Sequence, residues 1–339
     1  MKRIPIRAAL PFVAALLFTA AAHAQTLYTF PDQGFTPVYA FINSATKTLD
    51  MTMYELVDTT AQNDLIALAK KGVAVRVILD QNLEKSSNTP AQKALAAAGI
   101  SVHWANTKYQ ATHQKTITVD SKSSLILTAN LTSRYYTTTR DFAIIDTNAA
   151  DVAAIEATFA ADFKNATITP STATDLIWSP TDSSTDLVTL INAATKTLTI
   201  ENEEMSDATI ITPLENAAKR GVVVEVIMTN DANTYATEFN ALKAAGVQVR
   251  TYPDTATALY IHAKVVLADF GAATQKVFVG SENFTVASLT ENRELGLITT
   301  ATPILTALNT TLASDFAGAT AWTTPKKSAK AVPHLRPRP

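Results

Sequence analysis

Two histidines in this chain head the same short pattern. His113-Gln114-Lys115 leads to Asp120, and His262-Ala263-Lys264 leads to Asp269, so the form HxKxxxxD occurs twice. Along an extended segment, residues two apart face the same way, which sets each His beside its Lys. The surrounding residues are apolar, and a His and a Lys buried together are costly without anionic partners or a cleft. One such pair would pass for an accident of the surface; two in register do not. An Asn follows each pattern, Asn130 and Asn283, and then an acid on an expected strand, Asp141 and Glu294. A carboxylate bonded to an imidazole nitrogen fixes its tautomer and raises its basicity. Each copy therefore offers a His, its own orienting acid, a Lys and an Asn. Set face to face, the copies supply two imidazoles, two ammoniums and two amides, which suit a phosphate diester. The cations and amides would hold the non-bridging oxygens. One His would attack phosphorus while the other protonates the leaving oxygen. No metal or other cofactor is called for, because the lysines supply the positive charge.

The frame that carries these groups is duplicated. Ile42 to Leu56 (INSATKTLDMTMYEL) matches Ile191 to Met205 (INAATKTLTIENEEM), numbered 149 apart. The same offset relates Lys70-Lys71-Gly72 to Lys219-Arg220-Gly221, Val73–Leu79 to Val222–Met228, and His113 to His262. A period this long is a duplicated domain and not a solenoid. Each copy reads as a short strand (Thr48–Glu55; Thr197–Glu204), a helix closed by Gly72 or Gly221, and a β-branched strand. A second helix then leads to Gly99 or Gly246. Strands are expected at Thr112–Asp120 and Ser124–Ala129, and at Tyr260–Asp269 and Lys276–Gly280. A strand at Asp141–Asp146 or Arg293–Thr299 precedes a last helix. Strands alternating with helices and then clustering predict an α/β fold. Two homologous lobes, each a mixed β-sheet flanked by helices, would pack about a pseudo-twofold with one shared active site.

These residues resemble the phospholipase D superfamily, defined by the doubled HxKxxxxD motif with a trailing Gly-Ser-x-Asn. The resemblance covers nearly all of the chain after its first 24 residues. It implies one active site between the lobes and a phosphohistidine intermediate. The catalytic set it implies is His113, Lys115, Asp120, His262, Lys264 and Asp269, with His113 as nucleophile and His262 as general acid. The motifs are symmetric, and by themselves they do not decide which His attacks. Lys115, Asn130, Lys264, Ser281 and Asn283 would bind phosphate, and Asp141 and Glu294 would orient the histidines. Asp120 and Asp269, on the opposite face of a continuing strand, read as structural. One departure stands out: the second copy keeps Gly280-Ser281-Glu282-Asn283, but the first has Leu127-Thr128 where the family has Gly-Ser. Thr keeps the hydroxyl, and Leu threatens to crowd the backbone.

The domains are expected at 25–168 and 184–320, with a linker at 169–183 and a basic, Pro-rich tail at 321–339. Residues 1–24 hold Lys2, Arg3 and Arg7, an apolar run from Ala8 to Ala22 and the triplet Ala22-His23-Ala24. They read as a secretory signal cut after Ala24, which predicts a secreted or periplasmic protein with no membrane-spanning segment after cleavage. With no cysteine, the core must hold without disulfides. The chain has 28 basic against 30 acidic residues. Removing the leader leaves 25 against 30, and setting aside the five basic residues of the tail leaves 20 against 30. A protein that grips a nucleic acid backbone carries a basic footprint, so no stable nucleic-acid partner is expected. The expected substrate is a glycerophospholipid at a membrane surface, cleaved to phosphatidate and free head group or transferred to an alcohol by a monomer. A metal-independent endonuclease of the same superfamily and a non-catalytic binding protein on the same fold are the alternatives. His103 beside Trp104 reads as structural, and Tyr135 and Tyr136 as core. Glu55 and Glu204 match across the copies, as cleft acids or as caps.

Overall fold

The computed structural model describes residues 25–171 and 174–325. The expected leader and the basic end of the tail lie outside the described residues. The first lobe runs β1 (Thr26–Phe30), α1 (Thr36–Asn43), β2 (Thr48–Met53), α2 (Thr59–Lys70), β3 (Ala74–Leu79), α3 (Lys85–Ala97), β4 (Ser101–Trp104), β5 (Thr116–Val119), β6 (Ser123–Leu127), β7 (Thr139–Asp146) and α4 (Ala149–Asp162). The second runs β8 (Leu176–Ser179), α5 (Ser183–Ala193), β9 (Thr197–Glu201), α6 (Ala208–Lys219), β10 (Val223–Asn230), α7 (Ala236–Ala244) and β11 (Gln248–Pro253). It continues through β12 (Tyr260–Ile261), β13 (Val265–Ala268), β14 (Lys276–Gly280), α8 (Val286–Thr290), β15 (Glu294–Thr299), α9 (Thr302–Gly318) and β16 (Thr320–Ala321).

The first sheet has the order β1-β7-β6-β5-β2-β3-β4, and the second β16-β11-β10-β9-β13-β14-β15-β8. Both are mixed: β2 pairs parallel with β3 and antiparallel with β5, as β9 does with β10 and β13. The two sheets bury facing side chains in one shared core. Ile126, Phe142 and Ile144 of the first lobe pack there with Trp178, Val265, Val279 and Leu295 of the second. Apolar area lost to water is the main term holding two such layers together. The α/β fold of two homologous lobes is as the duplication predicted.

Local chemistry explains the element ends. Asp58 and Asp207 cap α2 and α6 by accepting backbone N–H bonds from Thr60 and Thr209. Gly72 and Gly221 follow those helices at φ +89° and +91°, a backbone region that glycine enters without strain.

The strands are shorter than the sequence suggested. β5 starts at Thr116 and β13 at Val265, so His113-Gln114-Lys115 and His262-Ala263-Lys264 precede their strands. The chain breaks there because it changes partners. Tyr260 and Ile261 pair parallel with Thr139 and Arg140 of the first lobe, and Thr112 bridges Arg293 in the same sense. Each segment then returns to its own sheet. Within the stretch read as a linker, Leu176–Ser179 form the edge strand β8, paired with β15. At the start of the stretch read as tail, Trp322 is buried against Phe239.

Candidate active site

The ladders between the lobes fix the site. Tyr260 lies opposite Thr139 and Ile261 opposite Arg140, which carries the next residue, His262, to Asp141. Thr112 lies opposite Arg293, which carries His113 to Glu294. His262 Nδ1 donates to Asp141 Oδ1 at 2.8 Å, and His113 Nδ1 donates to Glu294 Oε2 at 2.8 Å. The expectation that each His is oriented by the acid of its own copy is therefore corrected: the acids are exchanged. The reason is the parallel pairing, which sets each His segment beside the other lobe's acid-bearing strand. With Nδ1 bound as a donor, each imidazole has Nε2 left for chemistry.

A hydroxyl supports each acid. Thr128 Oγ1 donates to Asp141 Oδ1 at 2.5 Å and accepts from the Phe142 N–H. Glu294 Oε1 accepts from Ser288 Oγ at 2.7 Å and from Asn292 Nδ2 at 3.0 Å. Ser281 Oγ accepts the Leu295 N–H at 3.2 Å and donates to the Leu295 carbonyl at 3.4 Å. Ser281 is thus tied to the backbone beside Glu294. Thr128, in the unorthodox Leu-Thr of the first copy, still holds its acid.

Leu127 fits for a separable reason. A Cβ at Gly280 would collide with Glu282 Oε2 and with the backbone of Gly296, its partner across the ladder. At the matching places the first lobe has Ala129 and Ala143, with Leu127 buried opposite Ala143. With Ala129 in the place of Glu282, the carboxylate that would crowd a Cβ at Gly280 has no counterpart beside Leu127.

Both lysines are buried. Lys115 Nζ donates to the His113 carbonyl at 2.7 Å, and Lys264 Nζ donates to the His262 carbonyl. Burial pulls the Lys115 ammonium down to about 7, with Lys264 adding to the effect and Glu294 opposing it. His113 is lowered from the ordinary imidazole range, chiefly by burial, with Glu294 opposing and Lys115 adding. Burial alone would raise Glu294, but His113 and Lys115 hold it below the usual carboxylate range. Both amide atoms of Asn130 are buried without a hydrogen-bond partner, as is Asn283 Oδ1. Orphaned buried amides of this kind await a ligand or water.

Sequence reasoning missed one residue of the site. Glu203 Oε2 lies 3.0 Å from Lys264 Nζ, 3.3 Å from Asn283 Nδ2 and 3.5 Å from His262 Nε2. The repeat offset held a signal for it, since position 203 matches Tyr54 beside His113. Tyr54 sets its ring edge-on to the His113 ring, with centroids 4.6 Å apart, and 4.9 Å from the Lys115 ammonium.

A cleft of about 360 Å³ opens onto this set. It is lined by His113, Tyr54, Glu203 and Asn283, and by Glu55, Glu84, Glu204 and Arg134, the last 3.8 Å from Glu55. Glu55 and Glu204 therefore face the cleft. His262 and Asn130 sit behind, around a void of about 10 Å³ shared with Tyr136.

Asp120 and Asp269 stand apart from the reacting groups. Each sits at positive φ in a hairpin turn and accepts backbone N–H bonds: Asp120 from Thr46, Lys47 and Thr48, Asp269 from Thr195, Lys196 and Thr197. They tie the turn to the loop before β2 or β9, the structural role read for them, and they make no contact with either His. His103 stacks on Phe163 with its Nδ1 at 2.7 Å from the Phe163 carbonyl oxygen, a structural role. Tyr135 is buried, and Tyr136 donates to Asp58. Among the described residues, no three His, Cys, Asp or Glu side chains converge as a metal nest, and no helix is long and apolar enough to cross a membrane.

The comparisons agree with this architecture. A domain model described as "Cardiolipin synthase, PLD-like domain" matches residues 38–163 and again 187–316. The phosphatidylserine synthase of Haemophilus influenzae Rd KW20 superposes with a TM-score of 0.68 at 13% identity, over 88% of this chain and 87% of that one. The polyphosphate kinase of Porphyromonas gingivalis gives 0.67 at 15% identity over 85% of this chain, which spans only 46% of the kinase. Nuc of Salmonella typhimurium, described as a phospholipase D family member, is 20% identical and aligns with 44% of this chain over 99% of its own, with a TM-score of 0.40. No curated protein sequence matches the chain.

Proposed function

The chain belongs to the phospholipase D-like domain family, and from that premise we propose that it is a phosphodiesterase of the phospholipase D type. Its substrate in this reading is a glycerophospholipid, cleaved to phosphatidate and free head group. The observation that carries the reading is the exchanged pair of His–carboxylate contacts, which leaves two Nε2 atoms and two lysines for one diester.

In the first step His113 Nε2 attacks phosphorus. The bond to the head-group oxygen breaks, and that oxygen takes the Nε2 proton of His262. The phosphatidyl group is then carried on His113. In the second step water gives a proton to His262 Nε2 and its oxygen to phosphorus, releasing phosphatidate and restoring both rings. An alcohol in place of water gives transfer. Lys115, Lys264, Asn130 and Asn283 hold the non-bridging oxygens as charge builds on them.

The acids that line the cleft support a lipid over a nucleic acid. Glu55, Glu84 and Glu204 would repel the flanking phosphates of a polyanion but tolerate a zwitterionic head group. Residues 1–24 are proposed to direct export, which would bring the enzyme to lipid outside the cytoplasm.

The test is choline release from phosphatidylcholine vesicles in EDTA, beside His262→Ala and a plasmid substrate. Release that is lost in the variant supports the reading. Plasmid nicking without lipid turnover overturns the lipid substrate, and no turnover of any diester overturns the enzyme.

A further inference from the structure

Tyr54 and Glu203 occupy equivalent places in the two halves of the site, and their chemistry is opposite. Tyr54 offers His113 and Lys115 an aromatic ring. Glu203 offers His262 and Lys264 a carboxylate. The two imidazoles are consequently unlike. His262 has a carboxylate near both ring nitrogens: Asp141 is hydrogen-bonded to Nδ1 at 2.8 Å, and Glu203 lies 3.5 Å from Nε2, which makes no hydrogen bond among the described residues. His113 has Glu294 at Nδ1 and the Tyr54 ring, not a Glu203 counterpart, at the equivalent place.

A carboxylate beyond Nε2 stabilises a proton there, because it interacts with the charged ring and not with the lone pair of the neutral one. We propose that Glu203 keeps the Nε2 proton on His262, and thereby makes His262 the acid and leaves His113 the nucleophile. This rests on the phosphodiesterase reading above. Glu203 acts through His262, so it is a positioning residue, and it breaks the tie that the symmetric motifs leave.

The other charges around the site are consistent with this. His262 is faced by Asp141 from β7, Glu203 from the segment after β9 and Lys264 on its own segment, and Lys115 and His113 of the first lobe act on Lys264. Behind Asp141, Arg140 is paired with Asp315, at 2.5 Å, near the buried Glu201. The cation of Glu203 is Lys264, at 3.0 Å, with His113 adding a further attraction. Burial works against the charge on Glu203, but Lys264 and His262 hold it well below the usual carboxylate range. Burial meanwhile favours the neutral form of His113. Glu203 lines the cleft and His262 lies behind it, so an arriving diester must exchange its own oxygens for this carboxylate on Lys264 and Asn283.

The experiment needs no substrate at first. Four of the chain's five histidines lie after residue 24, so imidazole titrations can be followed by NMR in the mature chain. In the wild type, His262 is expected to lose its proton at higher pH than His113. Glu203→Gln should move the His262 titration down by about one to two pH units, and further than that of His113. Glu203→Asp should restore part of the shift, which separates charge from packing. His113 titrating above His262, or an unmoved His262 in Glu203→Gln, overturns the proposal.

A second arm uses bis(p-nitrophenyl) phosphate and acid quenching to trap the phosphoenzyme. Label is expected on His113. Label on His262 overturns the assignment even though the phosphodiesterase reading survives. No turnover with the expected titration order sinks the phosphodiesterase reading while the effect of Glu203 on His262 stands.

Discussion

Nδ1 of His262 reaches Oδ1 of Asp141 across the boundary between the lobes, at 2.8 Å, and in the proposed reaction this contact sets Asp141 behind the acid and not behind the nucleophile. Asp141→Asn should therefore resemble His262→Ala. Both should slow release of an alkoxide leaving group by about a hundredfold or more, the order supplied by general acid catalysis. Both should spare the burst of p-nitrophenol, a leaving group that needs no proton. Glu294→Gln should suppress the burst as well. Burst amplitudes with the two leaving-group types check this, and an Asp141→Asn burst as poor as that of Glu294→Gln would refute it.

Lys115 titrates near 7, well below a free lysine, chiefly because it is buried. Its charge is present below that pH and lost above it. Sulfate keeps its charge across this range, so its inhibition constant should rise by up to about tenfold per pH unit above 7. Inhibition that stays flat to pH 9 would show Lys115 charged throughout.

Leu127→Gly would restore the residue that the family pattern prefers. Leu127 is fully buried opposite Ala143, so the change should cost about 3 kcal/mol or more of stability, from lost burial and the cavity left behind. No gain in rate is expected, because Thr128 already supplies the hydroxyl to Asp141. Thr128→Ala should instead lower turnover, and Thr128→Ser should keep it. Urea denaturation and kcat together decide both points.

Asp120 and Asp269 should matter for folding and not for chemistry. Backbone and hydroxyl donors hold both carboxyls below their ordinary range, against a burial effect that raises them. A carboxyl depressed in the folded state stabilises it fully above the unfolded value near 4 and loses that contribution as pH falls. Asp120→Asn and Asp269→Asn should lower the melting temperature at pH 7 with kcat unchanged. The gap from wild type should narrow as the pH falls below 4. A large fall in kcat for correctly folded protein would return these residues to the catalytic set.

Much of the site was legible because its groups recur. His113 and His262, Lys115 and Lys264, and the acids Asp141 and Glu294 were found by the repeat alone, as were the helix ends at Gly72 and Gly221. The exchange of acids was not legible, because it depends on Thr112 pairing with Arg293 and Tyr260 with Thr139, contacts between segments far apart in sequence. Glu203 escaped for a related reason. A repeat points to what two copies share, and Glu203 matters for how they differ. Nor does residue type reveal that the Ser281 hydroxyl turns to the Leu295 backbone.

The joining of both lobes in one chain has a consequence beyond stoichiometry. In a homodimer every substitution appears on both sides of the twofold, so Tyr at one half of a shared site and Glu at the other is forbidden. Tyr54 and Glu203 are that forbidden combination. Covalent fusion frees each half to mutate alone, and it allows the two imidazoles to become specialists where identical subunits would have to leave them interchangeable.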